Sequence, residues 1–479
     1  MPIQLLILII YFAITIAIGF FASRKSSSAA SFHGAGLGVL MCVAAGTGEW
    51  LGGTSTTGIA EYGFLYGISG AWYTVANGLG IVVLAIFFAK LYRSLDTVTV
   101  PGIVEKFVGV DARIVSSILL TIVMIAVGTS QLIAAGALGV SVLGISFKTA
   151  VIVMGIGFIV YTLAGGMVAV GYTNILHLIV MYGGMILAVV FSFRLVGGVE
   201  TLRATLPQEY FSPLSIGGGK ISSWLIASVL GACTAQAGIQ PILAAKDAKT
   251  ARRAAFVTAL VVAPFGVLSA LFGMAAKIVL PDLANAKQAL PALMMQLDPL
   301  VGGLVLAAIF AAILSTVSPI ILASGTMVTK DIYQRRLHPD ASDRQVLLVS
   351  RLFTSLAGVL CVLMALALYG ETKILDMVYA AYSLRGAIFV VLLFAMYWRR
   401  ASRRGATYSL ILTGLTIVFW VVHKAVTGSF PLHPGFTETY AAMGSAALFS
   451  LLFGLFFRDQ NQVSSAQIRR QVLDGKEES

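Results

Sequence analysis

Thirteen stretches of 20 to 31 mostly apolar residues dominate this chain, at about 3–22, 37–62, 67–92, 114–143, 147–166, 168–195, 223–243, 251–281, 300–326, 345–369, 372–396, 405–426 and 437–457. A helix needs roughly 20 apolar residues to cross a bilayer, and each stretch reaches that length. Only 11% of the 479 residues are charged, against about 25% in an ordinary soluble domain. So few charges cannot coat a globule with polar surface. The pattern excludes a soluble enzyme, a nucleic-acid-binding domain and a disordered chain. It also argues against a β-barrel, whose strands alternate in polarity over about ten residues, because runs such as Ile81–Phe88 are unbroken. The reading is an all-α polytopic membrane protein with about 13 transmembrane helices. Met1–Gln4 carries no basic residue and no obvious cleavage site follows, so the first stretch is read as a retained span. Cys42, Cys233 and Cys361 all fall in apolar stretches, where they read as small core residues rather than a disulfide framework.

The net charge of +12 does not imply a nucleic-acid partner, because the basic residues cluster in short loops between spans. If the N-terminus lies outside, 23 of the 32 Lys and Arg fall on the inner side, eight on the outer, and one, Arg385, inside a span. That bias supports an odd number of spans with the N-terminus outside and the C-terminus inside.

Two spans are interrupted. The second reads Ala44-Ala-Gly-Thr-Gly-Glu-Trp-Leu-Gly-Gly-Thr54, with four glycines within 46–53. Each glycine costs a helix about 1 kcal/mol relative to alanine. The seventh reads Gly231-Ala-Cys-Thr-Ala-Gln-Ala-Gly-Ile-Gln-Pro241. Non-helical backbone at membrane depth survives only where it lines a cavity or is buried in protein. Matched Gly/Pro interruptions in two halves point to a transporter's binding site. Spans two to six and seven to eleven form two blocks of five, each opening with a broken span. Because five is odd, the second block enters from the opposite face and the repeats are inverted. Gly-rich stretches can also serve close helix packing alone.

Further motifs lie outside the breaks. Gly52-Gly-Thr-Ser-Thr-Thr-Gly-Ile-Ala-Glu-Tyr-Gly63, Thr99-Val-Pro-Gly-Ile-Val-Glu-Lys-Phe107, Ala164-Gly-Gly-Met-Val-Ala-Val-Gly-Tyr-Thr173, Ala244-Ala-Lys-Asp247, and Ala312-Ile-Leu-Ser-Thr316 with Lys330-Asp-Ile-Tyr333 occur in this order. Together they resemble the sodium:solute symporter family over roughly residues 1–457. That resemblance implies a LeuT-type fold and sodium-driven uptake of a small organic solute. The layout it implies is an extra N-terminal helix and inner loop (1–36), a first five-helix repeat (37–195), an extracellular loop (196–222), a second repeat (223–396), two C-terminal helices (397–457) and a cytoplasmic tail (458–479). The expected location is the plasma membrane, for a bacterial chain the inner membrane. Sodium is the coupling ion and no other cofactor is implied.

Sodium is a hard cation and takes oxygen ligands. The resemblance implies a site made from the carbonyls of Gly48 and Leu51 at the first break, the carbonyl of Ala312 and the hydroxyls of Ser315 and Thr316. Read without it, the Ser315-Thr316 pair is equally compatible with hydroxyls bonding back to a carbonyl one turn earlier. Unwound carbonyls near the midplane suit a cation in either case. Many family members resemble one another in a further sodium site built on a Thr-Asp pair. Here the pair is Thr173-Asn174, and Pro319 stands in the later hydroxyl stretch. Asn174 supplies no negative charge, so one sodium per cycle is expected.

Ionisable residues inside spans are functional candidates by default. These are Glu49, Glu61, His177 and Arg385. Glu49 is read as a partner for a cationic group or as a cap for free N–H groups at the break. Arg385 is read either as its salt-bridge partner or as the seat of a substrate carboxylate. Asn77, Gln131, Gln236, Gln240 and Tyr382 complete the candidate substrate residues. Trp72 and Tyr73, near a span end, read either as pocket residues or as interface anchors, His177 as a hydrogen-bonded core histidine, and Asp331 with Tyr333 as a helix cap or gate. Two rivals stay open: a proton-coupled carrier titrating Glu49 or His177, and a transporter-like membrane sensor; an enzyme is not expected, since the sequence has no HExxH, no GxSxG and no intramembrane His/Asp cluster suited to metal catalysis. Substrate identity and oligomeric state are not legible.

Overall fold

The computed structural model describes residues 3–23, 36–368 and 373–457. The expected tail (458–479) and the basic pair Arg24 and Lys25 lie outside the described residues. Among the described residues the chain is helical, with one isolated bridge between Leu37 and Ala245.

Helix α1 (Ile3–Ser23) is followed by α2 (Val39–Trp50), which stops at the glycine-rich break. A π-turn (Thr54–Gly58) then leads into α3 (Ile59–Tyr66). Gly67 ends that half-helix at φ 72°, a left-handed value that glycine adopts without steric cost. The next pass is α4 (Trp72–Val83) and α5 (Ala89–Ser94), joined by a second π-turn (Leu84–Phe88). The short α6 (Val100–Phe107) begins on Thr99, whose hydroxyl caps the Gly102 amide, with Pro101 in its first turn. Helix α7 spans Val110–Leu143.

Helix α8 runs unbroken from Phe147 to Val196, where the sequence reading expects two spans, 147–166 and 168–195. Tyr161 donates a 2.5 Å hydrogen bond to Thr173 Oγ1. Twelve residues of straight helix would hold those positions about 18 Å apart, so the chain folds back between them. The expected pair of passes is present, joined by a bent helix instead of a loop. After α9 (Val199–Thr205) come the two pieces of the second broken span, α10 (Gly218–Ala232) and α11 (Gln236–Leu243). The remaining elements are α12 (Ala248–Val279), the short α13 (Ala289–Met294), α14 (Pro299–Met327) with a π-helical extension (Val328–Leu337), α15 (Asp343–Leu368), α16 (Ile374–Tyr397), α17 (Arg403–Thr427) and α18 (Glu438–Phe456). Among the described residues ten stretches are long and apolar enough to cross a membrane; two shorter apolar helices, Ile3–Ile18 and Phe147–Leu163, add to them.

The bundle is organised around α14, buried along nearly its whole length and packed on α8, α7, α1 and α15. Large apolar side chains such as Ile179, Leu260, Leu415 and Phe456 face outward. A soluble protein would hide them, whereas a bilayer accepts them.

Both ends of the core are latched. At one end Tyr62 donates to Asp376 (2.7 Å), Lys220 pairs with Asp376 (2.8 Å) and the Ile374 amide donates to Glu61 (3.1 Å). At the other, where Arg113 and Arg335 lie, Asp331 accepts from Thr99 (2.7 Å) and pairs with Arg113 (2.6 Å). Glu105 there holds both Arg113 and Arg335. Asp331 thus acts as a tie between segments, and Tyr333 lies against His338 (ring centroids 4.9 Å apart). Beside this end the two broken spans touch: Leu37 N–H donates to Ala244 O (2.8 Å) and Lys246 N–H to Leu37 O (3.0 Å).

Candidate functional site

The site is built where the two breaks meet α14 and α16. In the first, Leu51 leaves helical geometry at φ −112°, ψ 66°. In an uninterrupted helix Gly53 N–H would bond the Glu49 carbonyl; here it donates to Gln131 Oε1 (2.6 Å). The Gly48 carbonyl accepts the Thr316 hydroxyl from α14. This approach demands glycine. A Cβ on Gly48 would collide with the Ser315 carbonyl and the Asn174 amide, and one on Gly52 would collide with the Thr316 hydroxyl.

The second break tightens before it opens. Cys233, Thr234 and Ala235 make three-residue backbone bonds, and α11 restarts after an extended Ala235. The restart leaves first-turn N–H groups without helical partners, a natural carboxylate site. Gly238, the third residue of α11, donates its N–H to Glu49 Oε2. The other Glu49 oxygen is 2.6 Å from Arg385 Nη1. Both side chains are fully buried. The Arg385 guanidinium lies 3.4 Å from the centroid of the Tyr382 ring and 4.8 Å from that of Trp50, within cation–π range of both. Its Nε and Nη2 have no hydrogen-bond partner among the described residues.

A polar circuit continues from there. Tyr382 OH meets Tyr73 OH (2.9 Å), Tyr73 OH meets Thr54 Oγ1 (3.1 Å), and Gln131 Nε2 reaches Thr54 Oγ1 (3.4 Å). The structure thus joins Gln131, Thr54, Tyr73, Tyr382, Arg385 and Glu49 across both breaks.

Beside the circuit lies a cluster of neutral oxygens. The Ala312 carbonyl accepts from Ser315 Oγ (2.9 Å) and Thr316 Oγ1 (3.1 Å), and Thr316 bridges to Gly48. Four of the five expected sodium residues, Gly48, Ala312, Ser315 and Thr316, are therefore linked, and Leu51 is wholly buried at the kink. Asn174 Nδ2 reaches the Ser315 carbonyl at 3.4 Å, so the position beside the cluster is filled by an amide donor.

The other candidates fall elsewhere. Gln236 spends its Oε1 on the Val100 amide (2.7 Å), pinning α6 rather than facing the circuit. Gln240 is buried one turn further along α11, and Asn77 is buried with neither amide atom partnered among the described residues. His177 accepts from or donates to Tyr11 OH near the fold-back of α8, and Glu61 belongs to the latch at the Asp376 end. Tyr73 is not an interface anchor: it is fully buried in the circuit, while Trp72 donates to the Pro213 carbonyl (2.8 Å) in the long loop. Thr54, Trp50 and the Gly238 amide are not singled out by the sequence as site groups. Only the position of Gly238 inside an interrupted span hinted at its role.

A family model described as the sodium:solute symporter family matches residues 32–413. Curated relatives extend along nearly the whole chain. The osmoregulated proline transporter OpuE of Bacillus subtilis is 26% identical over 450 residues, covering 89% of this chain and 91% of that protein. The sodium/proline symporter of Escherichia coli is 27% identical over 464 residues, covering 91% and 90%. A solved Na+-coupled sialic acid symporter in a substrate-bound outward-open state superposes with a TM-score of 0.81 at 19% identity, covering 96% of this chain and 99% of that one; this likeness shows the fold.

Proposed function

Because this chain belongs to the sodium:solute symporter family, and is therefore a sodium-coupled symporter of a small solute, we propose that it imports its solute with one sodium per cycle. The ion sits among Gly48, Leu51, Ala312, Ser315 and Thr316. The observation that carries the reading is the Thr316 hydroxyl on the Gly48 carbonyl. It joins a helix that has lost its ladder to an intact one, and a cation entering between them takes oxygens from both. All five ligands are neutral, which suits an ion that must also leave.

The solute seat we assign to Arg385, Glu49, Tyr382 and Gln131. Arg385 carries a carboxylate specificity: its Nε and Nη2 are buried donors in need of an acceptor, and a carboxylate satisfies such a pair. The likeness to proline transporters supports a small amino-acid-like acid over a polyol. In the cell the chain lies in the cytoplasmic membrane with its N-terminus outside, as the Lys/Arg bias suggests.

The test is a thermal-shift screen of the purified chain against proline, other amino acids, small carboxylates and polyols, in sodium or in potassium. The expected result is stabilisation by an acid that requires sodium and is lost in Thr316→Ala. Equal stabilisation in potassium defeats the sodium site, and stabilisation by polyols alone defeats the carboxylate seat.

A further inference from the structure

Away from the transport site, at the end where the broken spans touch, α5 and α12 frame an open cavity of about 490 Å³. Lys90, Lys249, Arg252, Arg253 and Phe256 line it together with Ala248. Four of its six lining residues are cations and none is an acid. Lys249, Arg252, Arg253 and Phe256 are spaced i, i+3, i+4 and i+7, which places them on one face of α12. The Arg252 guanidinium lies 5.8 Å from the centroid of the Phe256 ring. No carboxylate forms an ion pair with Lys249, Arg252 or Arg253 among the described residues. The nearby acids are committed elsewhere: Asp247 caps the Thr250 amide and Asp96 pairs with Arg93.

The same face continues into apolar surface. One turn beyond Phe256, Leu260 is 75% exposed; on the facing pass Phe87, one turn before Lys90, is 63% exposed. Cations above and bare hydrocarbon below form an amphiphilic slot. A free anion would use the upper half only.

We propose that this slot is a binding site for an anionic phospholipid, its phosphate held by Lys249, Arg252 and Arg253 and its acyl chain lying along Leu260 and Phe87. Basic pockets between membrane helices bind acidic headgroups by this chemistry, each near-surface Lys or Arg contributing about fivefold in affinity. The slot adjoins the contact between Leu37 and Ala244–Lys246, so a bound lipid braces the point where the two broken spans are tied.

The test titrates phosphatidylglycerol or phosphatidylcholine of matched chains into the purified full-length protein and counts adducts by native mass spectrometry. The expected result is preferential retention of phosphatidylglycerol. The triple variant K249Q/R252Q/R253Q weakens it about a hundredfold, and R344Q/R399Q/R400Q, which removes equal charge from exposed positions outside the slot, leaves it unchanged. Where the first triple fails to fold, as judged by its melting in phosphatidylcholine, R252Q alone is expected to weaken binding about fivefold. Equal retention of the two lipids, or equal loss in the two triples, overturns the proposal. Full displacement by millimolar inorganic phosphate also overturns it, by assigning the cations to a soluble anion. None of these readouts depends on transport.

Discussion

Replacing Arg385 with Gln strands Glu49. In the wild-type chain that carboxylate has two partners, Arg385 Nη1 at 2.6 Å and the Gly238 amide, and no access to solvent. Removing one member of a buried pair costs about 3–5 kcal/mol, because the remaining charge stays desolvated without its counter-charge. At about 2.1 cal/mol/K per residue, unfolding of a chain this long carries an entropy near 1 kcal/mol/K, so the melting temperature should fall by about 3–5 °C. Replacing both residues, as in E49Q/R385Q, removes the charge as well as its partner and should recover most of that loss. Melting followed by tryptophan fluorescence in detergent, without solute, checks the ordering: wild type highest, the double variant next, R385Q lowest. An R385Q protein melting within about 1 °C of wild type, or a double variant less stable than either single, refutes the claim that these charges neutralise each other in the folded protein.

Three further expectations concern coupling and the latches. The Thr316→Ala variant should raise the sodium concentration for half-maximal uptake about tenfold or more, from the loss of a charge-assisted contact of about 1.5–3 kcal/mol; an unchanged value removes Thr316 from the site. With one sodium per cycle, a 100 mV potential gives about 2.3 kcal/mol and a tenfold gradient about 1.4, enough to accumulate a solute of no net charge roughly 500-fold. Two charges per solute in reconstituted vesicles, or accumulation far beyond that limit, contradicts the stoichiometry. At the basic end, burial raises the Glu105 pKa but hydrogen bonds from Arg335 and Arg113 outweigh it, holding the carboxyl below its ordinary value. A lowered pKa stabilises the latch above the ordinary carboxylate range, and the contribution disappears as pH falls through the lowered value. Hydrogen exchange of 100–107 should therefore be insensitive to this group between about pH 6 and 8, and Glu105→Gln should accelerate it at neutral pH.

The two interruptions were legible because glycine and proline act on the backbone locally. Four glycines within 46–53 weaken a helix whatever surrounds it, and Leu51 is where α2 stops. Glu49 and Arg385 stood out because intramembrane charges are scarce, and charge balance alone put them forward as partners. What sequence could not supply was direction. Gln236 sits in the second break, as a solute contact would, yet it turns to the Val100 amide. Tyr73 lies near a span end, where tyrosines commonly meet the membrane interface, and only packing against Thr54 and Tyr382 places it inside. The fold-back of α8 escaped for a different reason: residues 149–193 carry no Asp, Glu, Lys or Arg, so no polar loop marks the reversal that the Tyr161–Thr173 bond requires.

The opposing charges of Glu49 and Arg385 give the midplane no net charge when nothing else is bound. A vacant carrier reorienting between the two compartments therefore moves no current through that region, and the transmembrane voltage does no work on its return. Under the proposed one-sodium cycle, work by the field is confined to the loaded stroke, when the monovalent passenger is aboard. Hyperpolarisation should then speed inward delivery while leaving the recovery leg at its own thermal pace, so that at strongly negative potentials turnover reaches a plateau set by the unladen protein.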